Sequence, residues 1–145
     1  PVDQDAIERT RLVLVYTSEP LARDTDLIGD AHVTLYAATT APDTDFSARL
    51  CIVDPSGVST NLLEGIVRAS FRETAEHPSP ITPGQVYAYR IELGPVGARA
   101  PAGHRLPRQV GSSDFPQWDR KLNTGGPFGQ EPASAGRAAS TNRAA

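Results

Sequence analysis

Apolar residues that recur at every second position limit this chain to short β-strands joined by turns. In the stretch APDTDFSARLCIVDPSG, Phe46, Ala48, Leu50 and Ile52 fall on one side of a two-residue period, and the intervening residues fall on the other. The DPSG that follows places Asp, Pro and Gly where a type I turn prefers them. The stretch therefore predicts a strand that ends in a tight turn and reverses into VSTNLL.

The same stretch allows a second interpretation, because four of its oxygen-bearing residues follow the spacing of a calcium loop. Asp43, Asp45, Ser47 and Asp54 stand at positions 1, 3, 5 and 12 of a twelve-residue window. Such a loop needs glycine at its sixth position and a bidentate glutamate at its twelfth, whereas Ala48 and Asp54 stand there. We therefore favour the strand and expect no metal site.

Several further segments show strand patterns. RLVLVY is an apolar run, AHVTLYAAT alternates, and a short edge strand is expected near Leu27 and Ile28. EGIVRASFR and QVYAYRIEL are the next strong strands, separated by the proline-rich linker ETAEHPSPITPG. No segment shows a helical period longer than two turns. The chain is therefore predicted to be all-β, a sandwich or a barrel.

Composition limits the expected binding partners and the expected cellular location of the chain. A chain of 145 residues is long enough for one domain with its own core. The net charge of −3 provides no basic field for phosphates, so nucleic acid is not expected as a partner. Neither a long apolar run nor a signal-peptide pattern is present, so we expect no membrane contact and a cytoplasmic location. The single cysteine, Cys51, is expected to be buried in a strand.

The two ends of the sequence suggest a boundary and a larger reading frame. Residues 126–145 are rich in Ala, Gly and Ser, and Phe128 is their only large apolar residue. We expect this segment to be a flexible tail, because it can bury too little to offset its ordering entropy. The folded domain is expected over residues 1–125. The sequence contains no methionine, so it is expected to start inside a longer reading frame.

A search for a catalytic centre finds no convincing one. GSSDF and GVSTN begin like the nucleophile elbow G-x-S-x-G but lack its closing glycine. His104 could meet Ser112 or Asp114, yet without that elbow a structural role is expected. His32, His77 and His104 lack the neighbours of a zinc site, and no glycine-rich phosphate loop is present. We expect neither a catalytic residue nor a cofactor.

The densest unusual chemistry is the segment SSDFPQWDRKLNTGG, residues 112–126. Its candidate domain-docking residues are Phe115, Trp118, Asp119, Arg120 and Asn123. Large aromatic side chains on a loop need a surface to cover them. The segment is expected either to fold back over an open end of its own sandwich or to dock on another domain.

At this loop the sequence resembles a known family. SSDFPQWDRKLNTGG, together with VLVYTSEPL, APDTDFSARL, LLEGIVRASFRE, PGQVYAYRIELGP and AGHRL, is similar to the C-terminal jelly-roll domain of the X-prolyl dipeptidyl-peptidase and cocaine esterase family, the CocE/NonD serine hydrolases. The similarity runs in order from about residue 1 to residue 126. It implies a jelly-roll β-sandwich of the galactose-binding-domain-like type.

Several positions depart from the family pattern. Pro107 interrupts HRLPRQV and removes a ladder donor, so this strand is expected to be an edge or to be damaged. Gly111 and Asp114 stand where Ser and Asn are common in the family. The strands that usually open and close the domain are missing, so the domain is expected to be truncated at both ends, with an exposed sheet edge.

The resemblance implies a non-catalytic domain of a serine hydrolase, either an X-Pro dipeptidyl-peptidase or an acyl esterase. The triad of such proteins lies upstream of the matched region, so no catalytic residue is expected here. The implied partner is the α/β-hydrolase catalytic domain of the parent protein, whose substrate cleft this domain would shape; a homo-oligomer is also compatible. The alternative is a free-standing carbohydrate-binding jelly-roll module.

Overall fold

A computed structural model of the chain describes residues 13–112 and 143–144. The alternating sequence forms seven strands within these residues, and every pairing between them is antiparallel. The strands are β1 (Val13–Tyr16), β2 (Thr25–Ala38), β3 (Asp45–Val53), β4 (Ser59–Arg68), β5 (Tyr87–Ala100), β6 (Arg108–Gly111) and β7 (Arg143–Ala144). A single 3-10 turn, Ala69–Phe71, follows β4, and the described residues contain no α-helix.

The strands form two sheets with the core between them. Strands β1, β6, β3 and β4 form a four-stranded sheet in that order, and β5, β2 and β7 form a three-stranded one. Phe46 and Ala48 of β3 meet Tyr89 and Ile91 of β5 in the core, and the rings of Phe46 and Tyr89 are 4.6 Å apart. The predicted all-β, jelly-roll β-sandwich is confirmed. Among the described residues no helix has the length and hydropathy of a membrane span.

The hairpin predicted at DPSG is confirmed. Strand β3 pairs with β4 from Asp45 opposite Arg68 to Val53 opposite Ser59. At the turn, the amide of Gly57 donates to the carbonyl of Asp54 at 3.0 Å. The Asp54 carboxylate accepts hydrogen bonds within the turn, including those from the amides of Ser56 and Val58. These hydrogen bonds lower the pKa of Asp54, with the Ser56 hydroxyl contributing most.

The predicted division between a short edge strand and AHVTLYAAT is wrong. Both belong to the fourteen-residue β2, which pairs with β5 from Thr25 opposite Ala100 to Ala37 opposite Tyr87. The sequence suggested a break because the segment TSEPLARDTDLIGD is polar and carries Pro20 and Gly29. The φ of Gly29, 121°, is indeed a conformation that favours glycine. The ribbon nonetheless continues, because Val96 of β5 stands opposite Gly29; a register shift follows between Ala31 and His32.

The strand predicted at EGIVRASFR begins and ends earlier in the structure than the sequence indicated. β4 starts at Ser59, so VSTNLL and EGIVR form one strand, and the chain leaves the sheet after Arg68. Beyond it, Ala69 and Ile81 enter the core. The chain between β4 and β5 is thus more than a linker, because it covers one end of the sandwich.

The strand after Pro107 is neither an edge nor damaged. β6 lies between β1 and β3, and Pro107 stands just before its first residue. The Pro107 carbonyl still accepts a hydrogen bond from the amide of Cys51 at 2.9 Å. Arg105 and Val53 exchange two backbone hydrogen bonds at 2.9 Å. Pro107 stands opposite Cys51 in the same register and has no N–H, so it cannot return the second hydrogen bond of that pair. The proline therefore costs one ladder hydrogen bond without ending the strand.

The predicted boundary between residues 125 and 126 and the predicted flexible tail fall almost entirely outside the described residues. Within that range, the structure describes only β7, which pairs Arg143 with Ala38 and Ala144 with Ala37. The domain boundary therefore stays a prediction.

Candidate docking surfaces

The predicted docking residues lie outside the part of the chain that the structure describes. This applies to all of Phe115, Trp118, Asp119, Arg120 and Asn123. The structure does show where their segment departs. It follows β6, an interior strand of the four-stranded sheet, where the Ser47 hydroxyl donates to the carbonyl of Gly111 at 3.3 Å.

The described residues contain two regular outward surfaces, one on each sheet. On β3, Phe46 and Ala48 face the core, so the alternate residues face outward. On β2, Leu35 and Ala37 face the core, which turns Thr34 and Tyr36 outward. Sequence reasoning missed both surfaces as functional features, because a two-residue period identifies the two faces of a strand without identifying what lies over either one.

The outer surface of the four-stranded sheet holds paired charges that solvent scarcely reaches. Arg68 forks onto Asp45, with nitrogen-to-oxygen distances of 2.8 and 3.1 Å, and the two side chains are 22% and 8% exposed. The Arg49 guanidinium lies 3.1 Å from the Glu64 carboxylate. We call this surface the polar face; it comprises Asp45, Ser47, Arg49, Glu64, Arg68 and Gln109.

Polar side chains without charge are also shielded on the polar face. Ser47 and Gln109 are 7% and 2% exposed, although both point away from the core. Glu64 additionally accepts a hydrogen bond from the Asn61 amide at 3.2 Å. The polar face is therefore largely shielded from solvent, and its charges are paired.

The outer surface of the ribbon formed by β2 and β5 is, by contrast, exposed to solvent. Tyr36 is 54% exposed and Ile28 is 83% exposed, and Arg90 pairs with Glu92 in solvent. We call this surface the open face; it comprises Ile28, His32, Thr34, Tyr36, Arg90 and Glu92. Each residue of β2 in it stands directly opposite a residue of β5.

Arg72 organises the cover at one end of the sandwich. Its guanidinium donates to the carbonyls of Ser79 at 2.6 Å and Ala69 at 3.3 Å, and it lies 4.4 Å from the centre of the Tyr87 ring. The Tyr87 hydroxyl accepts from the amide of Thr82 at 3.1 Å. Hydrogen bonding with Thr82, through its side chain first and its amide second, lowers the Tyr87 pKa. A cation stacked on an aromatic ring and bound to two carbonyls fixes the loop that carries Ile81 into the core.

The candidate calcium ligands have other tasks. Asp45 binds Arg68, and Asp43 accepts hydrogen bonds from the amide and hydroxyl of Ser70 at 2.9 and 3.0 Å. Asp54 lies at the opposite end of β3, where it serves the hairpin turn. The window is a strand, and the described residues hold no cluster of three or more His, Cys, Asp or Glu side chains suited to a metal.

The serine and histidine candidates do not converge. His104 precedes β6 and Ser112 follows it. The six residue steps from Arg105, opposite Val53, to Gly111, opposite Ser47, span roughly 20 Å at strand geometry. Ser59, the other candidate, is buried in β4 at 2% exposure. Asp114 lies outside the described residues. Cys51, predicted to be buried, is 0% exposed.

The arrangement of strands is shared with proteins of known structure. An aminopeptidase from a marine sediment archaeon, Thaumarchaeota archaeon, superimposes with a TM-score of 0.87 at 31% identity, over 93% of this chain and 24% of its own. An α-amino acid ester hydrolase gives a TM-score of 0.82 at 30% identity, over 86% of this chain and 22% of its own.

Sequence comparison leads to the same group. Cocaine esterase from Rhodococcus sp. (strain MB1 Bresler) is 38% identical over 131 residues, which are 90% of this chain and 23% of the esterase. The chain thus spans about a quarter of the length of the relatives it matches. Residues 2–145 match the family described as the X-Pro dipeptidyl-peptidase C-terminal non-catalytic domain. The chain belongs to that family, and it is the C-terminal, non-catalytic β-sandwich of the CocE/NonD type of hydrolase.

Proposed function

We propose that this β-sandwich packs on the α/β-hydrolase catalytic domain of a parent serine hydrolase and helps to shape its substrate cleft. The observation that supports this most directly is that the chain is 38% identical to an esterase but matches only 23% of its length. The family that the chain matches is also described as a non-catalytic domain. The unmatched part of the esterase is about three times as long as the matched part, which leaves room for the catalytic machinery in the same polypeptide.

The proposed reaction class is hydrolysis of acyl esters or of X-Pro dipeptides at peptide N-termini. The relatives named above include esterases and peptidases, which is why the proposal covers both substrates. A serine nucleophile with a histidine base and an oxyanion hole would supply the chemistry from the catalytic domain. The described residues of this chain support the non-catalytic role, because Ser112 and His104 stand at opposite ends of β6.

The proposal is tested on the full parent polypeptide and on a version that ends before this domain. We expect hydrolysis of p-nitrophenyl esters or X-Pro anilides by the full polypeptide and by neither the truncated version nor the 145-residue chain. Thermal unfolding of the full polypeptide should be a single transition, since packed domains unfold together. Full activity of the truncated version, together with two independent transitions, would contradict the proposal.

Within this function, the loop of residues 112–126 is proposed as one docking element. Phe115 and Trp118 supply rigid apolar area, and Arg120 can fork onto a carboxylate. Trp118→Ala should leave the stability of the 145-residue chain almost unchanged while destabilising the full polypeptide. A loss of roughly 3 to 5 kcal/mol in the 145-residue chain, the range for a buried aromatic, would show instead that the loop covers its own sandwich.

A further inference from the structure

The two outer faces differ in how much surface they leave for a partner. On the polar face, Gln109 and Ser47 are 2% and 7% exposed, and the charges are already paired. On the open face, Tyr36 and Ile28 keep more than half of their surface in solvent. Of the two regular surfaces in the described residues, the open face is therefore the one with solvent-exposed area that a partner could still bury.

The chemistry of the open face suits a protein interface. Tyr36 stands opposite Ala88, and Val86, which is 50% exposed, lies immediately before β5, so exposed apolar area is available at this end of the ribbon. Arg90 and Glu92 neutralise one another beside it. Tyrosine and arginine are enriched at interfaces, and an apolar centre beside paired charges avoids burying an unpaired charge.

The dimensions of the ribbon also agree with a contact between domains. Two strands of fourteen residues form a ribbon about 45 Å long and about 10 Å wide, or about 450 Å² of footprint for each partner. Counted on both partners, this is about 900 Å², which lies within the roughly 600 to 1,500 Å² that contacts between domains of one polypeptide bury.

We propose that the open face is a docking surface for the catalytic domain of the parent polypeptide, with Tyr36 as its anchor. This inference rests on the proposed function, since it names the surface through which the two domains would meet. The occupant follows from the size of the relatives, three quarters of which lies outside the matched domain. The tyrosine ring would enter an apolar depression of the partner, and its hydroxyl would require a hydrogen-bond acceptor there.

Hydroxyl-radical footprinting of tyrosine side chains tests the assignment. Tyr16 of β1 is the matched reference, because it is 48% exposed and belongs to the other sheet. We expect Tyr36 to react several-fold more slowly in the full parent polypeptide than in the 145-residue chain, while Tyr16 reacts equally in both. Equal reactivity of Tyr36 in the two proteins would overturn the proposal. Protection of Tyr36 in the 145-residue chain that grows with concentration would overturn it too, in favour of a second copy as the occupant.

A charge substitution provides the second test. Tyr36→Lys should lower the thermal midpoint of the full polypeptide and leave that of the 145-residue chain unchanged, whereas Tyr16→Lys should leave both unchanged. If the domains unfold together but Tyr36→Lys has no effect, the open face is not the docking surface although the proposed function stands. If the domains unfold separately in the unmodified polypeptide, the proposed function itself fails.

Discussion

Two bidentate arginine–aspartate salt bridges, called forks below, have nearly the same geometry and stand on the outer sides of the two sheets. Arg68 meets Asp45 on the polar face with distances of 2.8 and 3.1 Å, and Arg99 meets Asp26 on the ribbon with distances of 2.7 and 3.0 Å. Each pair links residues directly opposite one another on neighbouring strands. They differ in surroundings, because the side chains of the first are 22% and 8% exposed and those of the second 65% and 50%.

Geometry alone therefore does not determine how much an ion pair contributes to the free energy of unfolding. In water an attraction between charges is strongly screened, and two long side chains lose entropy to achieve it. Where solvent is largely excluded, losing one partner leaves the other charge without compensation. The polar face should therefore tolerate changes poorly, whereas the ribbon should tolerate them well until a partner covers it.

The largest expected loss of stability comes from a substitution that forces the two sheets apart. A Cβ placed on Gly65 would lie 2.0 Å from the backbone oxygen of Glu92, so β4 and β5 would have to move apart. We expect Gly65→Ala to lower the free energy of unfolding by about 3 kcal/mol or more, the upper end for overpacking a core. Urea unfolding followed by far-UV circular dichroism measures it.

Gly97→Ala is the matched control for this change. Gly97 lies in β5, and a Cβ there would meet nothing within 4 Å. Its substitution should leave the urea midpoint nearly unchanged. A tolerated Gly65→Ala would mean that the two sheets are not as closely packed as the structure shows.

The next effect separates the two forks. Asp45→Asn keeps the shape of the side chain but removes its charge, which leaves the half-buried Arg68 guanidinium poorly compensated. We expect a loss of about 2 kcal/mol, between the values for buried and exposed pairs. Thermal and urea unfolding of the single variants, and of the double variant with Arg68→Met, measure the coupling between the two residues.

Asp26→Asn is the corresponding change on the ribbon. It should leave the unfolding midpoint almost unchanged, because that pair stands in solvent. Equal losses for Asp45→Asn and Asp26→Asn would break the comparison, since burial would then make no difference to the two pairs.

The smallest expected effect is the pH dependence of the exposed fork. The hydrogen bond from Arg99 lowers the pKa of Asp26. A carboxyl whose pKa is lower in the folded state contributes stability above its unfolded-state pKa, and this contribution is lost as the pH falls through the folded-state pKa. Carboxyl chemical shifts in an NMR titration should show the low value, and Arg99→Gln should return it towards the ordinary one.

Asp54 is the internal control for this titration. Its pKa is also lowered, but by the hydroxyl of Ser56 and the amide of Val58 within the hairpin turn. Arg99→Gln should therefore leave the Asp54 titration unchanged. A shift of both groups would indicate a change in the fold rather than the loss of one pair.

Local signals in the sequence were sufficient for much of the fold. DPSG specifies its turn through the side chain of Asp54 and the φ of Gly57, and both act within a few residues. The alternation around Phe46 identified the core side of β3 for the same reason. The family motifs added the jelly-roll arrangement, which periodicity alone left open between a sandwich and a barrel.

Contacts between distant residues defeated the same reasoning elsewhere. Gly29 suggested the end of a strand, yet β5 pairs across it and carries β2 onwards. Pro107 suggested a damaged edge, yet its carbonyl joins β6 to β3 through Cys51. In both cases the partner strand lies more than fifty residues away, so no local window contains the information.

The sequence by itself determined that this chain is an all-β sandwich with an alternating core, a tight hairpin at Asp54 and no recognisable catalytic motif. Only the tertiary structure decided which outward residues are shielded and which are free. Ser47 and Arg49 alternate along β3 much as Thr34 and Tyr36 do along β2, yet the first two are enclosed and the second two are exposed. The reason is physical: alternation follows from the geometry of one strand, whereas burial depends on what the rest of the molecule places over it.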